Sequence, residues 1–183
     1  MRIEQLKHLV GAAANIVEED EFVVVGSQAI LGTHADAPES LLRSMEADLY
    51  PRRSPEKAEA IDGALGDGSQ FHRSFGYYAH GVGPETAKAP VGWEERLVAV
   101  SVEARPGSQR ASVAFCLEIH DLVLAKCVAG RERDWDFALE ALNAALVDLE
   151  ELLRRIDALP IDGAGRDHVR TMVKGLTGRR ARR

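Results

Sequence analysis

The chain has 183 residues, 45% of them apolar, with 23 Lys and Arg against 29 Asp and Glu for a net charge of −6. That length and apolar content fit one domain, or one domain with a helical appendage, and the acidic balance argues against a protein that coats nucleic acid. No stretch approaches the ~18 uncharged apolar residues of a membrane span, the charged start Met1-Arg2-Ile3-Glu4 is not signal-like, and Cys116 and Cys127 read as buried free thiols rather than a disulfide framework, so cytoplasm is the expected location.

Taken in order, Ile3, Leu6, Leu9, Val10, Ala13, Ile16 and Val17 recur at three and four and predict an amphipathic helix, closed by the acidic turn Glu18 to Glu21. The apolar run from Phe22 predicts a first strand over 22–26 that stops at Gly26-Ser27, with a short helix from Gln28 to Leu31 behind it. A second strand over 45–50 is closed by Pro51, which lacks the N–H that a central ladder needs. Ser54-Pro55 opens a helix through Leu65, stopped at Gly66-Asp67-Gly68. Residues 69–92 read as a long connection, with Trp93 anchoring its return. Strands over 97–102 and 111–119 flank a hairpin-like turn at Arg105-Pro106-Gly107-Ser108 and suggest an antiparallel pair. From Asp121 the chain is helical: one helix to Val128, a long leucine-rich one over 134–159, and a short one over 166–176 before the basic tail 179–183. The expected fold is α/β: a small mixed sheet of four or five strands, flanking helices and a C-terminal helical region, divided as a core over 1–130, helices over 131–178 and the tail.

The chemistry-bearing residues concentrate in the first two strands. Alternation puts Glu46 and Asp48 on one face of the second strand and Met45, Ala47 and Leu49 on the other. Two carboxylates about 7 Å apart on one face repel unless a positive charge sits between them. A divalent cation supplies it, and oxygen ligands suit Mg2+, or Mn2+. The plain alternative is an exposed strand with solvated acids. Gly26 and Ser27 end a strand before a helix and offer backbone N–H groups to phosphate, although alone they read as an ordinary turn capped by Ser27. Lys126 lies in an apolar helical stretch and either snorkels or holds an anion. A third carboxylate would be Glu103 or Glu118, and the sequence does not choose between them. His72, Tyr77, Tyr78 and His80 are expected to pack within the long connection, since the His-x7-His spacing is a weak metal signature. His120 reads equally as a cleft residue or as a strand-end histidine with a local hydrogen bond.

A small-residue pair after a strand, Gly26-Ser27, followed about twenty residues on by the acidic strand Glu46-x-Asp48, resembles the minimal nucleotidyltransferase fold. Asp121 to Lys126, followed by Gly130-Arg131-Glu132-Arg133-Asp134, is similar to a further element of bacterial nucleotidyltransferase-like proteins related to abortive-infection and toxin–antitoxin nucleotidyltransferases. The resemblance covers most of residues 1–145, with Glu46 standing where Asp is commoner. It implies a metal-dependent transfer of a nucleoside monophosphate from a nucleoside triphosphate to a hydroxyl of protein, RNA or a small molecule. Glu46 and Asp48 would hold the metal, and Gly26 and Ser27 the triphosphate. Lys126 would serve the reaction, with Asp134 positioning it or the substrate. A toxin- or defence-related role, with a homodimer or a cognate antitoxin-like partner, follows from the same resemblance. The alternative is a nucleotidyltransferase-like domain that binds nucleotide or a partner protein without turnover.

Overall fold

The computed structural model describes residues 1–104 and 110–180, with side chains to residue 176 in the last helix. The turn expected at Arg105 to Ser108 and the side chains of the tail Arg179 to Arg183 lie outside the described residues. The order is α1 (Ile3–Val17), β1 (Glu21–Val24), a 3-10 turn (Ser27–Gly32), β2 (Glu46–Pro51), α2 (Ala58–Leu65), α3 (Gln70–Phe75), β3 (Tyr78–Gly81), β4 (Val98–Val102), β5 (Ser112–Cys116), α4 (Ile119–Ala129), α5 (Glu132–Asn143), α6 (Leu149–Arg155) and α7 (Gly163–Arg180).

The five strands form one mixed sheet in the order β3-β2-β1-β5-β4. β1 is central, antiparallel to β2 and parallel to β5. β3 lies parallel on the outside of β2, and β4 pairs antiparallel with β5 as expected. β1 alternates between two cores. Phe22 and Val24 face the main one, with Leu6, Leu9, Val10 and Ala13 of α1 and with Ala47 and Leu49. Val23 and Val25 join a smaller cluster with Tyr50, Ala58 and Val82, to which Trp93 packs. Cys116 and Cys127 are free and buried, and burial pushes each thiol up to about 12.

Two expectations are corrected. Residues 69–92 are no loop: they hold α3 and β3. β3 has only four residues and gains its ladder from β2, a partner that local periodicity does not reveal. The long helix over 134–159 is two helices, broken where Ala145 turns to φ 55. The break folds the leucine stripe back on the chain, so Leu142, Leu152, Ile156 and Leu159 are buried within the main core. The last helix is longer than expected, Gly163–Arg180.

A buried ionic network fastens the start of α4 to this helical layer. Asp121, fully buried, accepts from Arg96 Nε at 2.7 Å and from Arg155 at 2.9 Å. Glu118 caps α4, accepting from the backbone N–H of His120, and also pairs with Arg155. His120 Nε2 accepts the Asp148 N–H at 3.0 Å, which leaves Nδ1 to donate to Glu118 at 2.7 Å. Burial opposes ionisation of Glu118, but the His120 hydrogen bonds and the charge of Arg155 outweigh it and bring its pKa down to about 2. A carboxyl depressed on folding contributes stability that is present above its unfolded value of ~4.3 and is lost as pH falls towards the folded one. Urea unfolding at fixed pH is therefore expected to weaken between pH ~4.3 and about 2 more steeply in the wild type than in Glu118→Gln. Parallel pH profiles would remove Glu118 from the acid response.

Candidate metal and phosphate site

The site sits where β1 ends and β2 begins. β2 runs antiparallel to β1 with Val24 opposite Leu49, so Asp48 arrives beside the chain leaving β1, and Val25 N–H donates to Asp48 O at 3.0 Å. In the parallel ladder of β2 with β3, Glu46 is opposite Tyr78 and Asp48 opposite His80. Paired residues share a face, which gathers Glu46, Asp48, Tyr78 and His80 away from the main core.

Each carboxylate has one oxygen turned aside and one turned inward. Tyr78 Oη donates to Glu46 Oε2 at 3.1 Å. Asp48 Oδ2 lies over Gly26: a Cβ built there would stand 1.6 Å from it. The other oxygens, Asp48 Oδ1 and Glu46 Oε1, lie 3.0 and 3.2 Å from His80 Nδ1. Glu46, Asp48 and His80 each bring one ligand atom to a group within 4.8 Å, close enough together that it could hold a divalent cation. Burial alone would lower the His80 pKa, but the hydrogen bond to Asp48 and the charges of Asp48, Glu46 and Asp62 outweigh it and raise it. Burial and the charge of Glu46 push the Tyr78 hydroxyl up. A second glycine permits the third donor to approach: at Gly81, next to His80, a Cβ would stand 1.9 Å from the Ala58 carbonyl oxygen at the start of α2.

Ser27 opens the 3-10 turn behind Gly26. Next to it Gln28 is fully buried, and neither polar atom of its side chain has a hydrogen-bond partner among the described residues. The other pair expected at the site, Lys126 and Asp134, is also brought together. Lys126 Nζ lies 3.2 Å from Asp134 Oδ1 and 4.7 Å from the centre of the Phe137 ring, on a helix packed against the Ser27–Gly32 turn. No hydrogen bond or ion pair among the described residues joins this pair to Glu46, Asp48 or His80.

Neither suggested third carboxylate enters. Glu118 is bound to His120 and Arg155. Glu103 lies at the other end of the sheet, in a cleft with Asp20, Glu21 and Ser112 at the starts of β1 and β5. Sequence reasoning passed over His80. Four residues, Tyr78-Ala79-His80-Gly81, are too few to mark a strand by alternation, and only the pairing with β2 puts Tyr78 and His80 on the face of Glu46 and Asp48. Of the other residues in that segment, Tyr77 is buried against His8, and His72 packs on Tyr78 with ring centres 4.6 Å apart.

A mixed sheet whose central strand ends in Gly-Ser beside an acidic strand is the frame of a nucleotidyltransferase-like α/β protein. Residues 4–173 match DUF6036, described as a nucleotidyltransferase of unknown function, and the chain belongs to that family. That description carries the nucleotidyltransferase resemblance and does not extend to abortive infection. No curated protein and no solved structure matches the chain.

The contact between Asp48 and Gly26 gives a direct test. Gly26 has φ −58, which any residue adopts, so Gly26→Ala acts through space alone. The new methyl must displace the Asp48 carboxylate. Urea unfolding is expected to find Gly26→Ala less stable than the wild type by about 1–3 kcal/mol, the usual cost of overpacking, with the circular dichroism spectrum retained; equal stability would show that Asp48 moves aside freely.

Proposed function

We propose that this protein is a divalent-metal-dependent nucleotidyltransferase, moving a nucleoside monophosphate from a nucleoside triphosphate to a hydroxyl acceptor on a protein, an RNA or a small molecule. The observation that carries the proposal is the convergence of Glu46 and Asp48 beside Gly26, at the end of the central strand. In the reaction the acceptor oxygen attacks the α-phosphorus, the bond from that phosphorus to the bridging oxygen breaks, pyrophosphate leaves, and the hydroxyl proton passes to solvent. Glu46 and Asp48 would hold the cation. When bound, such an ion offsets triphosphate charge and stabilises the leaving pyrophosphate.

The chain's own groups bind and orient. The backbone at Gly26 and Ser27 and the Ser27 hydroxyl face phosphate oxygens, a role suited to N–H groups at the opening of a helical turn. Tyr78 fixes Glu46. Lys126, held at 3.2 Å by Asp134, is the cation offered to the triphosphate. A toxin- or defence-related setting, with a homodimer or an antitoxin-like partner, belongs to the same proposal. So does a cytoplasmic location, where nucleoside triphosphates are at hand. Among the described residues no helix is long and apolar enough to cross a membrane.

The decisive experiment incubates the protein with each labelled nucleoside triphosphate, Mg2+ or Mn2+, and total cell RNA or protein. Label is expected to pass to an acceptor with the wild type and not with Asp48→Asn, which removes the charge and keeps the shape. No transfer by the wild type with any of the four nucleotides and several acceptor classes would overturn the proposal in favour of a binding role.

Lys126→Met tests the second pair. In protein verified as folded, turnover is expected to fall about a hundredfold, the usual scale for one electrostatic contact to the transition state, with nucleotide affinity changed far less. Among the described residues the same substitution leaves buried Asp134 without a side-chain partner, a change expected to cost about 3 kcal/mol or more in urea unfolding. Wild-type turnover in the folded variant would take Lys126 out of the reaction.

A further inference from the structure

We propose that His80 is the third protein ligand of the metal site, and that it makes this a mixed oxygen–nitrogen site suited to Mn2+ better than to Mg2+. The inference rests on the metal-site reading above and adds to it the ligand and the choice of ion.

The geometry carries it. Ligands on neighbouring corners of a shell of radius about 2.1 Å stand about 3.0 Å apart. His80 Nδ1 lies 3.0 Å from Asp48 Oδ1 and 3.2 Å from Glu46 Oε1, so the nitrogen already has the spacing of a neighbouring corner to each carboxylate, and one ligand atom of each of the three residues lies within 4.8 Å of the others. Their aim is fixed from behind. Tyr78 holds the far oxygen of Glu46, the Gly26 backbone bounds the far oxygen of Asp48, and the β2–β3 register sets His80 directly opposite Asp48. Such outer contacts are what hold metal ligands in place. The imidazole is half exposed, so an ion can reach the face from solvent. Neither carboxylate suggested by the sequence takes the position: Glu118 is tied to Arg155, and Glu103 is at the far end of the sheet.

The nitrogen decides the ion. Mg2+ prefers an all-oxygen shell and keeps its waters. Imidazole shifts preference towards the later divalent ions, with carboxylates keeping Mn2+ in range. To hold an ion, His80 would present the Nδ1 lone pair to it and carry its ring proton on Nε2.

The test uses the full chain and Mn2+ alone, followed by electron paramagnetic resonance. Bound Mn2+ is expected to show a nitrogen coupling in its spin-echo modulation, and that coupling is expected to vanish in His80→Ala. Affinity for Mn2+ should fall about tenfold or more in His80→Ala, the scale on which metal-site contacts count. In His80→Asp, an all-oxygen site, competition by Mg2+ should strengthen relative to the wild type, while Mn2+ still binds. Mn2+ bound without nitrogen coupling, and lost in Asp48→Asn, would overturn the role of His80 and leave the Glu46–Asp48 site standing. No Mn2+ binding by the wild type, or binding indifferent to Asp48→Asn, would overturn the metal site itself and His80 with it.

Discussion

The register of β2 is the constraint on which the candidate site depends. Its two faces carry opposite chemistry: Ala47 and Leu49 are fully buried in the main core, while Glu46 and Asp48 face away from it. A slip of one residue against β1 would bury both carboxylates and expose both apolar side chains. The apolar residues therefore place the charged ones. Hydrophobic burial, worth about 25 cal/mol per Å2, holds two mutually repelling acids together that would not gather by themselves. Gly26 closes the arrangement from the β1 side, because only a residue without Cβ leaves room for Asp48.

The ionic groups divide into two kinds. Around Asp121 and Glu118 each carboxylate is paired inside the protein with Arg96 or Arg155, with a hydrogen bond from His120 to Glu118, and the network ties strand end, helix start and helical layer together. At Glu46, Asp48 and His80 the acids outnumber the single imidazole, and the group is open to solvent. The first kind satisfies itself and leaves no role for an ion. The second is satisfied only in part, as expected where a ligand completes the site. Lys126 and Asp134 stand between: paired and largely buried, yet with the second Asp134 oxygen lacking a hydrogen-bond partner among the described residues.

Much of the frame was legible because local patterns and tertiary contacts agree. The three-and-four spacing of α1, the alternation of β2, the β4–β5 pair and the Gly-Ser stop after β1 all carry their own signals. What was not legible depends on distant partners. β3 is too short to declare itself and exists because β2 supplies its ladder, so His80 stayed hidden in an apparent loop. The break near Ala145 puts a non-glycine residue at positive φ, which propensity disfavours and packing of Val147 and Leu152 against the core outweighs. Asp121 opens the segment Asp121 to Lys126 that resembles a family element. Two arginines far along the chain, Arg96 and Arg155, claim it instead, and sequence spacing cannot announce such contacts.

The donors are also unequally anchored. Glu46 and Asp48 ride on a strand paired on both sides, whereas His80 rides on a four-residue strand at the sheet's edge. Edge strands are among the first segments of a sheet to open. An ion shared by the two strands would act as a clasp: each loading event would lower the population of the opened edge by mass action. The fold would then report occupancy of the site through the protection of a few β3 amides, a readout of ligand state that requires no turnover.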